Sequence, residues 1–250
     1  MNLPSEQLVV VARFDEDVSW FNELSIPYII FNKGRKNLPT NLKTHNLVNI
    51  GREGHTILHF ILSNYDNLPD RILFTQADPF PHAPKFLDSI KQMDSHLPVQ
   101  PLSVRYLEPK DPKLRNRPEF ESGIPPQEIL NQHMVSTNGV EYYTEILDGR
   151  FNVISPYQYS DPGIQCLSLI QKHHQNSVRF VCRSIGIDEI ETIHFSYGGI
   201  LSVRKEQILR HKKETYEMMM RFLLETPEHG FLMERMWLTI FGYQPLESVD

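Results

Sequence analysis

The sequence predicts an α/β protein whose mostly parallel central sheet is flanked by helices. Three observations predict it. Short β-branched apolar runs alternate with helix-period segments through the first third of the chain. A proline-rich middle then interrupts that alternation. The last third returns to one strand and a set of amphipathic helices. Of 250 residues, 40% are hydrophobic and 22% charged, enough apolar material for a sizeable core and too much for a disordered chain. We read 1–250 as a single domain: a first half over 1–82, an irregular and partly helical middle over 83–191, and a closing strand with helices over 192–250.

The elements follow in order. Leu8–Ala12 is an apolar run of the kind found in a strand buried on both faces. Asp17–Leu24 predicts a short helix with Trp20, Phe21 and Leu24 on one side, and Tyr28–Phe31 predicts the next strand. Strand, helix and strand in so few residues predict a βαβ unit and a parallel sheet. The polar stretch Arg35–Asn46 leads to Leu47–Ile50. A strong helix then runs from Glu53 to about Tyr65, with Ile57, Leu58, Phe60, Ile61 and Tyr65 at helical spacing. Arg71–Thr75 is the following strand. Ten of the 18 prolines fall between Pro79 and Pro126, where we expect one helix over about Lys85–Met93 and one strand over Ser103–Leu107. Asp161-Pro162 predicts the start of a helix reaching about His174. Ser177–Ile185 predicts another, stopped by Gly186. A strand around His194–Val203 is broken by Gly198-Gly199. Helices are expected over Lys205–His211 and Lys213–Glu225, and a final one over His229–Phe241 with Phe231, Leu232, Met236, Trp237 and Ile240 on its apolar side.

The net charge of −6 argues against nucleic acid as the partner, although a local basic patch can still hold a phosphate. The two cysteines, Cys166 and Cys182, are too few for a disulfide framework or an all-cysteine zinc site. The opening MNLPSEQLVVVARFDED lacks a basic n-region, and no apolar run is long enough for a membrane span. The expectation is a cytoplasmic protein without a membrane span.

Ligands of open α/β sheets bind outside the carboxyl ends of the strands. Four such ends carry polar residues: Arg13, Asp15, Glu16 and Asp17; Asn32, Lys33 and Gly34; Gln76, Asp78 and His82; Ser196, Tyr197, Gly198 and Gly199. Asp78, clamped by Pro79 and Pro81, is either a ligand for a hard divalent cation, with His82 as a second ligand, or a turn cap. Arg52 and Glu53 open the long helix, where a helix N-terminus with an Arg can receive an anion and a Glu complements the dipole. His55 and His59 share a helix face at i, i+4, but the Glu of a zinc-protease motif is missing. Gly198-Gly199 within a strand means close backbone approach or a bulge. Glu234 beside Trp237 is a general-base candidate or a residue of the wet helix face. No nucleophile elbow, Walker A loop or dinucleotide fingerprint occurs.

Four blocks, LVVVARFDED, GREGHTILHFILSNYDNLPDRILFTQADP, FSYGGILSVRKEQIL and HGFLMERMWLTIFG, resemble in their order the GT-A glycosyltransferase superfamily. They also resemble a small family described only as a domain of unknown function related to glycosyltransferases. The likeness covers roughly 1–82 and 192–243. It implies a Rossmann-like GT-A fold and transfer of a sugar from a nucleotide-sugar donor to a hydroxyl of a glycan or other acceptor, with inversion. It implies that Asp78 holds the last acid of a metal motif for Mn²⁺ or Mg²⁺, with His82 beside it, and Gln76 stands where that motif's first acid belongs. It implies that Glu234 is the general base, with Arg235 in place of the acid that follows it. Arg13, Asp15, Lys33, Arg52, Glu53, Gln76, Asp78, Gly198 and Gly199 are then the donor-binding candidates. The competing expectations are a non-catalytic nucleotide-sugar or glycan-binding protein on the same scaffold, and, more remotely, a nucleotidyltransferase or hydrolase.

Overall fold

Leu8 and Val10 of the first strand join one apolar core, and Val9 and Val11 join another. The same alternation runs through Ile29, Phe31 against Ile30 and through Ile72, Phe74 against Leu73. A strand covered on both faces must be apolar at every position, which is why these segments read as continuous runs. The computed structural model describes residues 6–103 apart from 37, 40, 84, 85, 92, 94 and 95, then 106–109, 134–137, 140–143, 151–154, 179–188 and 196–243.

The central sheet comprises β1 (Gln7–Arg13), β2 (Tyr28–Asn32), β3 (Thr44–Asn46), β4 (Arg71–Gln76), β5 (Val99–Pro101) and, far along the chain, β10 (Leu201–Arg204). Their order across the sheet is β3-β2-β1-β4-β10-β5. The first four are mutually parallel, and β10 runs antiparallel to both β4 and β5. Two further pairs stand apart as two-stranded antiparallel sheets: β6 (Tyr106–Pro109) with β9 (Phe151–Ile154), and β7 (Met134–Thr137) with β8 (Val140–Tyr143). Helix α1 (Arg52–Asn64) packs with the later helices α4 (Lys213–Glu225) and α5 (Glu228–Ile240) over one sheet face. Between α1 and α4 come α2 (Phe86–Lys91) and the short α3 (Lys205–Ile208). Phe60, Phe74, Trp237 and Phe241 are at most 1% exposed in that core, each side chain worth about 1.5–3 kcal/mol of burial. The other face is covered by Trp20, Phe21, Phe86 and Ile90. Trp20 Nε1 donates to the Ala77 carbonyl at 2.8 Å and ties the β1–β2 connection to the end of β4.

The structure departs from the expectations in definite places. The helix expected over Asp17–Leu24 is a single 3₁₀ turn, Ser19–Glu23, because Trp20 and Phe21 alone supply its buried side. The polar stretch Arg35–Asn46 contains β3, an edge strand whose exposed Thr44 and Asn46 carry no apolar signature. The strand expected over Ser103–Leu107 is found as Tyr106–Pro109, and Val99–Pro101 before it is a strand that the sequence pattern does not mark. Val99–Pro101 enters the central sheet at its edge, where proline is tolerated, and Tyr106–Pro109 starts a separate sheet. The strand expected over His194–Val203 begins only at Leu201, since Tyr197–Gly199 is a 3₁₀ turn with φ of 64° at Gly198 and 61° at Gly199. Phe231, assigned to the apolar side of the last helix, is 41% exposed. The helix expected over 161–174 lies outside the described residues. The helix at 179–184 ends as expected at Gly186. No helix among the described residues is long and apolar enough to cross a membrane.

Candidate functional site

Parallel pairing aligns the carboxyl ends of β1, β2 and β4, and the antiparallel β10 starts where β4 finishes, with Leu201 opposite Phe74. Residues distant in sequence therefore meet at one sheet end. Gln76, the last residue of β4, lies against the Gly198 turn, so closely that a Cβ on Gly198 would stand 3.0 Å from the Gln76 carboxamide. Gln76 Nε2 donates to the Asp78 carbonyl oxygen at 2.8 Å. The turn is held from the other side by α5, where Glu234 Oε1 accepts the Gly198 N–H at 2.7 Å. Glu234 Oε2 lies 3.4 Å from Arg235 Nη1, in an ion pair whose side chains are 8% and 7% exposed. Glu234 and Arg235 are thus both buried. The wet-face reading of Glu234 does not apply, because α5 is covered by the sheet and by the turn at once.

Helix α1 delivers a second group of charges. Gly51 and Arg52 have φ of 58° and 49°, and Arg52 is the one non-glycine residue with positive φ among the described residues. Two successive left-handed residues turn the chain into the helix, at a strain of about 1 kcal/mol or more for the arginine. Lys33, buried at the end of β2, stabilises this turn from below. Its Nζ donates to the Ile50 carbonyl at 2.8 Å and to the Arg52 carbonyl. Burial pulls the Lys33 ammonium down to about 8, against the opposing pull of Glu53. Arg52 Nε reaches Glu53 Oε2 at 3.4 Å, and its guanidinium lies 4.2 Å above the centre of the Phe231 ring. Burial, with the Glu234 carboxylate next in weight, pushes the Glu53 carboxyl up from its ordinary range. His82 stacks on Tyr197 with centroids 5.4 Å apart and feels the charges of Glu53, Arg52 and Asp78. Burial holds its imidazole below the usual range.

Lys33, Arg52, Glu53, Gln76, Asp78, His82, Gly198, Gly199 and Glu234 accordingly gather at one end of the sheet. Arg13 and Asp15 do not join them by direct contact. They line a neighbouring cavity of about 550 Å³ with Glu16, Asp17, Lys36 and Leu42. Arg13 is 4% exposed and donates to Asn32 Oδ1 at 2.6 Å and to the carbonyls of Phe14, Glu16 and Lys36. Asp15 Oδ1 accepts the Lys36 N–H at 2.8 Å. Both act here as the frame of the loops after β1 and β2. Gly34 completes that frame, since a Cβ there would sit 1.4 Å from the Phe14 carbonyl oxygen.

No group of three His, Cys, Asp or Glu side chains that could hold a metal occurs among the described residues. A divalent cation would have Asp78, which is exposed, and the nearby His82 as its protein ligands. Two side-chain ligands suit a cation held mainly by phosphate oxygens and water. His55 and His59 lie with centroids 6.2 Å apart, and His59 packs edge-on against Phe31. Sequence reasoning missed three residues of the site. Phe231 looked like a core residue. Thr56 and Trp237 are buried, and Thr56 Oγ1 and Trp237 Nε1 have no hydrogen-bond partner. Only the packing of α1 against α5 shows that these polar atoms fall near Glu53 and Gly199.

Residues 8–250 match the model of a family described as a protein of unknown function, DUF3431. Neither a curated protein nor a solved structure matches the chain.

Proposed function

The chain belongs to the DUF3431 family, and from the site we propose that it is a glycosyltransferase that uses a nucleotide-sugar donor and an acceptor hydroxyl. The observation that carries this reading is the meeting of Gln76, Gly198 and Glu234 at the carboxyl end of β4, with Arg52, Glu53 and His82 alongside. A parallel β3-β2-β1-β4 half followed by an antiparallel strand with a glycine turn suits a donor whose diphosphate needs cations and whose transfer needs a carboxylate.

In this reading the donor diphosphate faces Arg52, whose side chain is 44% exposed while its backbone is pinned by Lys33. A planar guanidinium suits phosphate oxygens better than an ammonium does. Lys33 supplies field rather than contact, since its Nζ is already committed to two carbonyls. The acceptor oxygen attacks the anomeric carbon in line, the bond to the diphosphate oxygen breaks, and the hydroxyl proton passes to a site carboxylate. Asp78 and His82 would hold a divalent cation, which supplies charge neutralisation on the departing diphosphate. The glycine turn keeps side-chain bulk off the end of β4.

The test is a thermal-shift screen against UDP, GDP, CDP and dTDP sugars with and without Mn²⁺, followed by assay of nucleoside diphosphate release. We expect one nucleotide class to raise Tm and to be turned over. No shift with any of them would remove the reading. The replacement of an acid by Gln76, whose carboxamide is committed to the Asp78 carbonyl, favours a second reading, a non-catalytic nucleotide-sugar or glycan-binding protein. A Tm shift without nucleoside diphosphate release would select it.

A further inference from the structure

We propose that Glu53 is the residue that takes the proton of the acceptor hydroxyl and that Glu234 is a positioning residue which sets the Gly198 turn, an assignment that rests on the glycosyltransferase reading. The two carboxylates are not equivalent in the fold. Glu234 accepts the Gly198 N–H at 2.7 Å through Oε1, and its Oε2 holds a long 3.4 Å contact to Arg235 Nη1 like the one Glu53 holds to Arg52. A carboxylate oxygen that already accepts a short charge-assisted bond is less available for a substrate proton. Its bond to a backbone N–H is also a structural one: it fixes the glycine turn to helix α5.

Glu53 is placed differently. Its side chain is 15% exposed, about twice the 8% of Glu234, and it holds one long contact at 3.4 Å from Arg52 Nε. It sits in the first turn of α1 and packs with Thr56, Thr75, Gly198 and Gly199 along a closed seam with no room for a water molecule, so an acceptor hydroxyl reaches its carboxylate from the solvent side, beside Arg52. A Cβ on Gly199 would stand 3.9 Å from both Glu53 Cβ and Trp237 Cδ1. Burial and the neighbouring Glu234 charge both raise the proton affinity of Glu53. Glu53 thus meets solvent with a carboxylate free of any short bond, while Glu234 holds the turn. In the step itself, the acceptor oxygen forms its bond to the anomeric carbon and the hydroxyl proton moves to a Glu53 oxygen. The electron pair of the broken bond leaves on the nucleoside diphosphate.

The experiment compares wild type, Glu53→Gln and Glu234→Gln with the donor found by the nucleotide-sugar screen, over a pH series. Glu53→Gln should lower kcat by about 10²–10⁴-fold, leave the donor KM within about threefold, and abolish the acid limb of the rate profile. Glu234→Gln should raise donor KM as well as lower kcat, and keep an acid limb shifted to lower pH. An acid limb retained in Glu53→Gln, or lost only in Glu234→Gln, overturns the assignment. A ¹³C carboxyl titration of the ligand-free protein gives a reading independent of any donor. Glu53 should titrate above free glutamate and move down in Glu234→Gln. Titration in the ordinary range overturns the Glu53 assignment. Absence of nucleoside diphosphate release from every donor overturns the transfer reading, and the assignment with it, even where the titration agrees.

Discussion

Glu234 Oε1 accepts the Gly198 N–H at 2.7 Å, joining helix α5 to the turn that enters β10, the antiparallel neighbour of β4. That turn is left-handed at both glycines, and Gln76 is packed under it. Gly198→Ala places a Cβ in a conformation that L residues avoid, 3.0 Å from the Gln76 carboxamide. The expected loss is about 1–2 kcal/mol, read as a lower urea midpoint at unchanged m-value. A midpoint equal to wild type would show that the turn is not held as described.

Lys33 makes stability depend on alkaline pH. Its folded pKa is lowered to about 8 from 10.5, so above pH 8 the unfolded chain binds a proton that the folded chain releases. Stability then rises with pH through this window and is lowest, for this residue, below it. Raised tyrosine pKa values act in the opposite sense above pH 10, so the clean interval lies between about 8 and 10. The full effect is on the order of 3 kcal/mol, and about 2 kcal/mol of it falls inside this interval. Lys33→Met should remove the rise, measured by denaturant unfolding at pH 7.5 and pH 9.5. A variant whose pH profile parallels wild type would refute it.

The opposite flank of α1 titrates in acid. Burial first, then Lys33 and His59, lower His55 from 6.5 to about 4, and His59 is lowered too, by burial, His45 and Lys33. A histidine that the fold keeps neutral destabilises as pH falls from 6.5 towards 4, because only the unfolded chain takes the proton freely. The raised Glu53 opposes this, so the comparison must be with a variant rather than along one curve. His55→Leu, at a position where Nδ1 has no partner, should flatten the acid slope by on the order of 2 kcal/mol. Parallel acid-unfolding curves for the two proteins would count against it.

Phe231 separates stability from binding. It is 41% exposed and carries the Arg52 guanidinium 4.2 Å above its ring. Phe231→Ala should change the unfolding free energy by less than about 1 kcal/mol and weaken nucleoside diphosphate binding about two- to fivefold. Calorimetric titration beside thermal denaturation measures both. Equal affinities would mean that Arg52 is oriented by Lys33 and Glu53 alone.

Much of the fold was legible one segment at a time. β1, β2, β4, α1, α4 and α5 all carry their own periodicity, because each buries enough apolar surface to mark its sequence. β3 and β5 were not legible. They are three-residue edge strands whose pairing comes from the neighbour, Thr44–Asn46 from β2 and Val99–Pro101 from β10. Phe231 misled for a related reason: its helical position matches the apolar side, and only the placement of Arg52 above its ring accounts for its exposed setting.

By itself, the sequence determined that the chain is an α/β protein, that strand ends after β1, β2 and β4 carry its polar residues, and that Gly198-Gly199 marks a close approach. Periodicity, turn chemistry and strand-end polarity are local properties, and a single sequence holds them. Tertiary structure alone decided which strand end each residue serves. It separated Arg13 and Asp15 into the loop frame, bound Glu234 Oε1 to the Gly198 N–H, and left Glu53 facing the glycine turn. The reason is physical. A carboxylate's role depends on which hydrogen bonds it already accepts and which charge stands beside it; Glu234 takes its short bond from the turn before β10, and the charge beside Glu53 is Glu234, more than a hundred residues along the chain.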